Sequence, residues 1–315
     1  MADVVTLTMN PAIDLSVAVD RVTPFHKLRA SENRRDPGGG GINVARVLKR
    51  LGADVTAVYP AGGTLGLLLR ELVEKEGISQ ITIPIATETR EDFTVNERET
   101  GFQYRFVVPG PSLAEPEWRA CLSCFAALEA RARFVVCSGS LPPGVPDDFY
   151  RCVVETARGA GRRMVVDSSG AALKWALEAG VYLVKLSASE LSELFGVPFD
   201  IRADQIKACR ALIEQGRAEV VALTLAEQGA ILMTRERVLR ARALPIEPRS
   251  VVGAGDSFLG AMIWALTCGH TLDDAFRYGI AGGSAALLMP GTELCQPEDI
   301  ARLVKHVELD VLASR

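Results

Sequence analysis

Phe134-Val135-Val136-Cys137-Ser138-Gly139-Ser140-Leu141-Pro142-Pro143-Gly144 is a short apolar run that empties into a polar, glycine-bearing turn. The same arrangement follows three times more. Met164-Val165-Val166 leads into Asp167-Ser168-Ser169-Gly170, Tyr182-Leu183-Val184 into Lys185, Ser187 and Glu190, and Val220-Val221-Ala222-Leu223 into Thr224-Leu225-Ala226-Glu227-Gln228-Gly229. Short runs without polar alternation read as strands covered on both faces. Strands that discharge polar residues at their carboxyl ends are how an open α/β sheet builds a ligand crevice. Upstream, strand patterns at 4–8, 55–59 and 81–85 alternate with helical patterns at 42–51 and 65–75. That alternation predicts an α/β fold with a mostly parallel central sheet and helices packed on it.

Two stretches break the pattern. Leu15, Val17 and Val19 alternate with Ser16, Ala18 and Asp20, and Phe93–Glu97 and Gln103–Val107 alternate around a turn at Glu99-Thr100-Gly101. Period-two alternation marks strands with one wet face, so a small β-sheet lid is expected from about 12–30 and 88–108. It carries Arg90 and Arg105. Its apolar face has no neighbouring helix to cover it, which predicts a homodimer through the lid. A single domain over 1–315 accounts for the rest.

Composition narrows the function classes. The chain has 315 residues, 48% of them apolar, and 35 basic against 39 acidic residues for a net charge of -4. That is ample for a core, and no long run of one sign suggests a nucleic-acid or lipid surface. The N-terminal Met1-Ala2-Asp3-Val4-Val5 lacks the basic start of a secretory signal, and no apolar run reaches membrane-spanning length, so a cytoplasmic protein with small-molecule partners is expected. Seven scattered cysteines fit reduced thiols. Cys121 and Cys124 form a CxxC inside a helical pattern with no second ligand pair, and read as core residues.

Two glycine-rich segments carry the chemistry. Val251-Val252-Gly253-Ala254-Gly255-Asp256-Ser257-Phe258 runs into a helix with Leu259, Met262, Ile263 and Leu266 on one face. Backbone N–H groups at such a start have no intrahelical acceptor, and the dipole favours an anion there. Asp256 reads either as a helix N-terminal acid or as a base that takes a hydroxyl proton during phosphoryl transfer. Pro37-Gly38-Gly39-Gly40-Gly41-Ile42-Asn43 opens another helix. The polar residues 31–36 before it argue against a dinucleotide fingerprint, which needs a buried strand there. A tight loop and a backbone surface for a polar ligand such as a sugar both fit, with Asn43 offering donor and acceptor. Asp14 follows the first strand, where ligand-binding residues gather.

These two segments, in this order, together with Tyr104-Arg105-Phe106-Val107, Ser138–Gly144 and Val166–Gly170, resemble the pfkB-type, ribokinase-like sugar kinases over essentially the whole chain. The resemblance implies a three-layer sandwich with a β-sheet lid. Its likeness to the family's 6-phosphofructokinase branch implies ATP-dependent phosphorylation of fructose 6-phosphate at the 1-hydroxyl. Tagatose 6-phosphate or fructose 1-phosphate are the alternative acceptors, and a catalytically inactive sugar-phosphate-binding regulator is the alternative of another class. It further implies Asp256 as the base, the amides of Gly253, Ala254, Gly255 and Asp256 around the transferred phosphoryl, and Asp14, Gly39, Gly40 and Asn43 on the sugar. Lys27, Arg90, Arg105 and Ser140 would hold the existing phosphate, which guanidinium forks serve well. ATP would lie against Lys185, Ser187, Thr224, Gly229 and Ser284, with Glu190 in the Mg2+ shell, and Ser250, Val252, Ala286 and Gly291 would form a K+ loop. The chain departs from the family pattern at Ser187, where an asparagine is usual, at Leu186, Ala226 and Val251, and at Met289 and Glu293. A serine hydroxyl is shorter than an amide, so its contact to phosphate or metal-bound water is lost or bridged by water.

Overall fold

A computed structural model describes residues 3–129, 132–199 and 201–314. Met1 and Ala2 of the N-terminal stretch lie outside them. The chain begins with β1 (Val4–Leu7), leaves for β2 (Ala12–Val19) and β3 (Glu32–Gly38), and returns through α1 (Gly40–Arg50), β4 (Val55–Ala61), α2 (Gly63–Lys75) and β5 (Ser79–Pro84). A second excursion makes β6 (Arg90–Glu97) and β7 (Gln103–Phe106). Then α3 (Glu115–Glu129), β8 (Phe134–Ser138), α4 (Phe149–Gly159), β9 (Arg163–Asp167), α5 (Gly170–Ala179), β10 (Val181–Ser187), α6 (Ala188–Phe195), α7 (Arg202–Glu214) and β11 (Ala218–Thr224) follow. The chain closes with β12 (Ala230–Met233), β13 (Arg237–Ala241), α8 (Ala254–Thr267), α9 (Leu272–Leu287), α10 (Pro297–Leu303) and β14 (Leu309–Ser314).

The main sheet has the order β14-β13-β12-β11-β10-β9-β8-β1-β4-β5. From β11 to β5 every pair is parallel, and the β12–β14 edge is antiparallel. Alternate side chains of one strand enter opposite cores, as a pleat requires. Phe134 and Val136 of β8 pack with α1, α8 and α9, whereas Val135 and Cys137 pack with α3, α4 and α5. Both faces are dry, which is why these strands carry no polar alternation. Helices α8 and α9 approach closely because Gly282 has no side chain: a Cβ there would lie 2.6 Å from both Ala261 Cβ and Ser257 O.

The second sheet has the order β3-β2-β6-β7. Two of its features differ from the sequence reading. First, β3 is a strand although residues 31–36 are polar and lie beyond the 12–30 stretch, and Asp14 sits within β2 rather than in the turn after β1. Second, the polar face is not the wet one. Asp14, Ser16, Asp36, Asp92 and Thr94 turn inward and are 2–6% exposed, while Phe93 and Phe106 on the opposite face are 36% and 56% exposed. Of these inward residues Asp92 lines a polar cavity, and Asp36 accepts from Arg34, Arg46 and Thr292. At the C-terminal end α10 stops at Leu303, Val304–His306 is a 3₁₀ turn, and the chain then pairs as β14.

Candidate active site

Helix α8 starts where the backbone makes a turn only glycine tolerates. Gly253 has φ 74°, and a Cβ on it would lie 2.4 Å from Leu294 Cδ2. The first helical bond runs from Ser257 N to Gly253 O at 2.8 Å. The amides of Ala254, Gly255 and Asp256 precede that bond, so the helix offers them no acceptor and they remain for an anion. Asp256 accepts from Asn43 Nδ2 at 2.9 Å. Beside it Lys185 donates to Asp167 Oδ1 at 2.8 Å, and Lys185 Nζ comes within 3.2 Å of where a Gly255 Cβ would be.

Burial and the Asp167 carboxylate push the Asp256 carboxyl up to about 7, against the Asn43 hydrogen bond and the Lys185 charge. A carboxylate with that pKa takes and returns protons near neutral pH, as a general base must. Lys185 behaves oppositely. Burial pulls its pKa down, but Asp167, Glu190 and Asp256 outweigh burial and hold it above the ordinary lysine value, so it stays charged.

Asp256 looks into a polar cavity of about 300 Å³ that also exposes Gly39, Gly40, Asn43, Arg90, Arg105, Ser140, Lys185 and Glu190. The glycines are there for packing. Gly39 has φ 104°, and Cβ atoms on Gly40 and Gly41 would lie 2.2 Å from Ser138 Oγ and 2.5 Å from Thr8 Oγ1. Their absence lets α1 start directly on the ends of β1 and β8, which delivers Asn43 to Asp256. Ser140 accepts from Asn10 Nδ2 at 3.1 Å. Arg105 reaches the cavity from β7. Arg90 is more constrained: its guanidinium donates to the carbonyls of Val108 and Asn10, each at 3.0 Å, and so braces the lid against the turn after β1. Asp14 lies abreast of Asp36 and Asp92 in the lid register. Burial pushes its carboxyl up to about 6, opposed by Arg105. Lys27 does not join them; it lies in the exposed segment between β2 and β3 and lines neither cavity.

A second cavity, of about 990 Å³, opens on the other side of the α8 start. Leu225, Leu244, Pro245, Ile246, Phe258 and Leu287 give it an apolar wall, and Ser187, Thr224, Gly229, Ala254, Gly255 and Ser284 also border it. Gly229 has φ 90°, and a Cβ there would lie 2.1 Å from Ala241 O. Ser187 also has a local structural task. It is the N-cap of α6: its hydroxyl accepts from Glu190 N at 3.2 Å, and Glu190 Oε2 accepts from Ser187 N at 2.6 Å. This capping box uses one oxygen of Glu190 and leaves the residue at the rim of the polar cavity.

Three residues of the expected cation loop converge. Ser250 Oγ donates to Gly291 O at 2.6 Å and accepts from Val252 N at 3.2 Å. Ala286 is the penultimate residue of α9, its carbonyl accepting from Met289 N at 3.0 Å, while Arg249 N reaches Leu287 O at 2.7 Å. These carbonyl and hydroxyl oxygens are the hard donors a monovalent cation takes, so the residues fit one. Glu190, at the rim of the polar cavity, offers a carboxylate oxygen of the kind a hard divalent cation takes. Among the described residues no group of three or more His, Cys, Asp or Glu forms a closed metal cage, and no helix is long and apolar enough to cross a membrane. Cys121 lies in the core, where burial and then Cys124 push its thiol up to about 12.

Sequence reasoning gave no role to Asp167, although Val166–Gly170 was conspicuous, and none to Arg46 or Asp92. Asp167 follows a strand end, as Lys185 and Ser138 do, and that position is the signal that could have found it. Nothing local marks Arg46, which is fully buried and bonded to residues 3 to 30 positions away.

Two cavities that meet at one anion-binding helix start suit a reaction between two molecules, one of them a phosphoryl donor, and the ribokinase-like scaffold makes this a phosphotransferase with an alcohol acceptor. The chain belongs to the pfkB family of carbohydrate kinases, whose model matches residues 2–299. It is 46% identical over 299 residues to the ATP-dependent 6-phosphofructokinase isozyme 2 of Mycobacterium tuberculosis, covering 95% of this chain and 88% of that protein. It is 31% identical to the 1-phosphofructokinase of Bacillus subtilis, covering 96% and 98%. Crystal structures of phosphofructokinase-2 from Escherichia coli in complex with potassium and with fructose-6-phosphate superpose with TM-scores of 0.92 and 0.91 at 38% and 37% identity, over 97% of this chain and 99% of each of those chains. It is thus a sugar kinase of the phosphofructokinase type.

Proposed function

We propose that this enzyme transfers the γ-phosphoryl group of ATP to the 1-hydroxyl of fructose 6-phosphate in the cytoplasm, giving fructose 1,6-bisphosphate and ADP. The observation that carries this reading is Asp256, held by Asn43 at the start of α8 in a polar cavity that Arg105 and Arg90 border. The sugar lies along Gly39, Gly40, Asn43 and Asp14. Its 6-phosphate rests on Arg105 and Ser140, with Arg90 contributing from its braced position. The 1-hydroxyl oxygen attacks phosphorus as the bond to ADP breaks, and the hydroxyl proton passes to Asp256. The amides of residues 253–256 and the Lys185 ammonium receive the developing charge. Bound Mg2+ supplies charge neutralisation on the donor phosphates, with Glu190 holding its shell. The adenosine part of ATP fills the apolar cavity beside Thr224, Gly229 and Ser284, with Ser187 at its edge. Ser250, Val252, Ala286 and Gly291 hold K+, as supported by the potassium complex of the E. coli relative.

Identity favours this acceptor over the rival fructose 1-phosphate, since the isozyme 2 relative is at 46% and the 1-phosphofructokinase at 31%. An ADP-release assay over fructose 6-phosphate, fructose 1-phosphate, tagatose 6-phosphate and free fructose tests it. The highest kcat/KM is expected with fructose 6-phosphate. Equal or better use of fructose 1-phosphate overturns the acceptor, a preference for free fructose overturns the arginine assignment, and no release with any sugar points to the inactive regulator. The homodimer is proposed through the exposed lid face of Phe93 and Phe106; sedimentation of a monomer at micromolar concentration overturns it.

A further inference from the structure

We propose that Arg46 is a positioning residue for the base: its guanidinium pins the amide oxygen of Asn43 and thereby commits the amide nitrogen to Asp256. An amide's two ends have the same shape and opposite chemistry, and a guanidinium can only donate. Arg46 Nη1 donates to Asn43 Oδ1 at 3.2 Å, and Asn43 Nδ2 donates to Asp256 Oδ2 at 2.9 Å. A flipped amide would set its oxygen against a carboxylate and its NH2 against a cation. Arg46 itself has no freedom to yield. It is fully buried, with Nε on Glu76 Oε1 at 2.9 Å, Nη1 also on Pro37 O at 3.1 Å and Nη2 on Asp36 Oδ1 at 3.4 Å. Glu76 stands at the end of α2, and Pro37 and Asp36 both belong to lid strand β3, so the amide's direction is set by two elements outside the reaction.

The inference rests on reading Asp256 as the base, which an Asp256→Asn turnover measurement decides separately. The other charges facing Asp256 are Asp167, Lys185 and Asp14, and removing any cation nearby raises a carboxylate's pKa through space. The test therefore compares two backgrounds. In full-length enzyme with fructose 6-phosphate and MgATP, Arg46→Met is expected to lower kcat about tenfold and move the acid limb of the kcat–pH profile up by about one unit. In an Asn43→Ala background the same change is expected to leave the limb where Asn43→Ala alone puts it, as a double-mutant cycle requires of a coupled pair. An equal shift in both backgrounds, or lost turnover with an unmoved limb, overturns the proposal while leaving the base intact. Should Arg46→Met not fold, Asn43→Asp serves. With Arg46 gripping one carboxylate oxygen, the other faces Asp256, and the limb is expected above that of Asn43→Ala; a limb no higher overturns the proposal. If Asp256→Asn keeps its turnover, the base assignment fails and this inference with it.

Discussion

The two cavities on either side of the α8 start solve recognition differently. The smaller is polar, and its groups are held by named partners: Asn43 by Arg46 and Asp256, Lys185 by Asp167, Arg90 by two carbonyls. The larger is walled by Leu225, Leu244, Pro245, Ile246 and Phe258, and draws on apolar area. A misdirected donor leaves a buried polar group unpaired, whereas an apolar wall tolerates small shifts. The polar side is where single-atom errors are costly, and it is also where the proposed reaction places the hydroxyl.

That contrast can be broken by mutation. Asp256→Asn is expected to lower kcat by about 100- to 10,000-fold with the sugar KM nearly unchanged; steady-state ADP release checks this, and near-normal turnover removes the base. On the apolar side, Ile246→Asp is expected to raise the KM for ATP by roughly tenfold or more through the cost of burying a charge, leaving the sugar KM alone. A matching rise in the sugar KM would show that the cavities are not independent. Lys185→Met leaves Asp167 buried without its cation, a loss on the order of 3 kcal/mol measurable by thermal unfolding, and shifts the acid limb of turnover upward because a charge that lowered the Asp256 pKa is gone.

Asp256 also makes a pH prediction for the free enzyme. Its folded pKa of about 7 lies above the ordinary 3.8, so its contribution to stability is fully present below pH 3.8 and lost as pH rises through 7. Asp256→Asn should therefore raise the melting temperature above pH 7 by on the order of 2–4 °C, with the gain vanishing towards pH 4. A gain independent of pH would mean that the carboxylate is not strained by burial. The smallest effect is expected from Ser187→Ala, which removes an N-cap worth about 1 kcal/mol and should lower stability with little change in the KM for ATP. A large rise in that KM would show that the Ser187 hydroxyl contacts the nucleotide as well as capping α6.

The parallel sheet was legible because both of its faces are dry, and the α8 start because a glycine string meets helical periodicity. What escaped has a common cause. Strand β3 is polar because Arg34 and Asp36 pair with each other and with Glu293, Arg46 and Thr292, so composition points to a loop. The β12–β13 hairpin and β14 add antiparallel partners at the edge, and pairing partners are not written in one strand's pattern. Lys27 was grouped with the phosphate residues by resemblance, yet the lid geometry leaves it on an exposed segment. Ser187 was weighed against an asparagine for what it lacks, when Glu190 three residues later forms a capping box with it. Arg46 pairs with Asp36 and Glu76 only after three elements have packed.

Ala254 and Gly255 border one cavity and Asp256 the other. Neighbouring helical residues are separated by a rise of about 1.5 Å that covalent geometry sets. The two cavities are therefore spaced by less than one turn of a single helix, as by a ruler, so any motion of that helix carries both borders together.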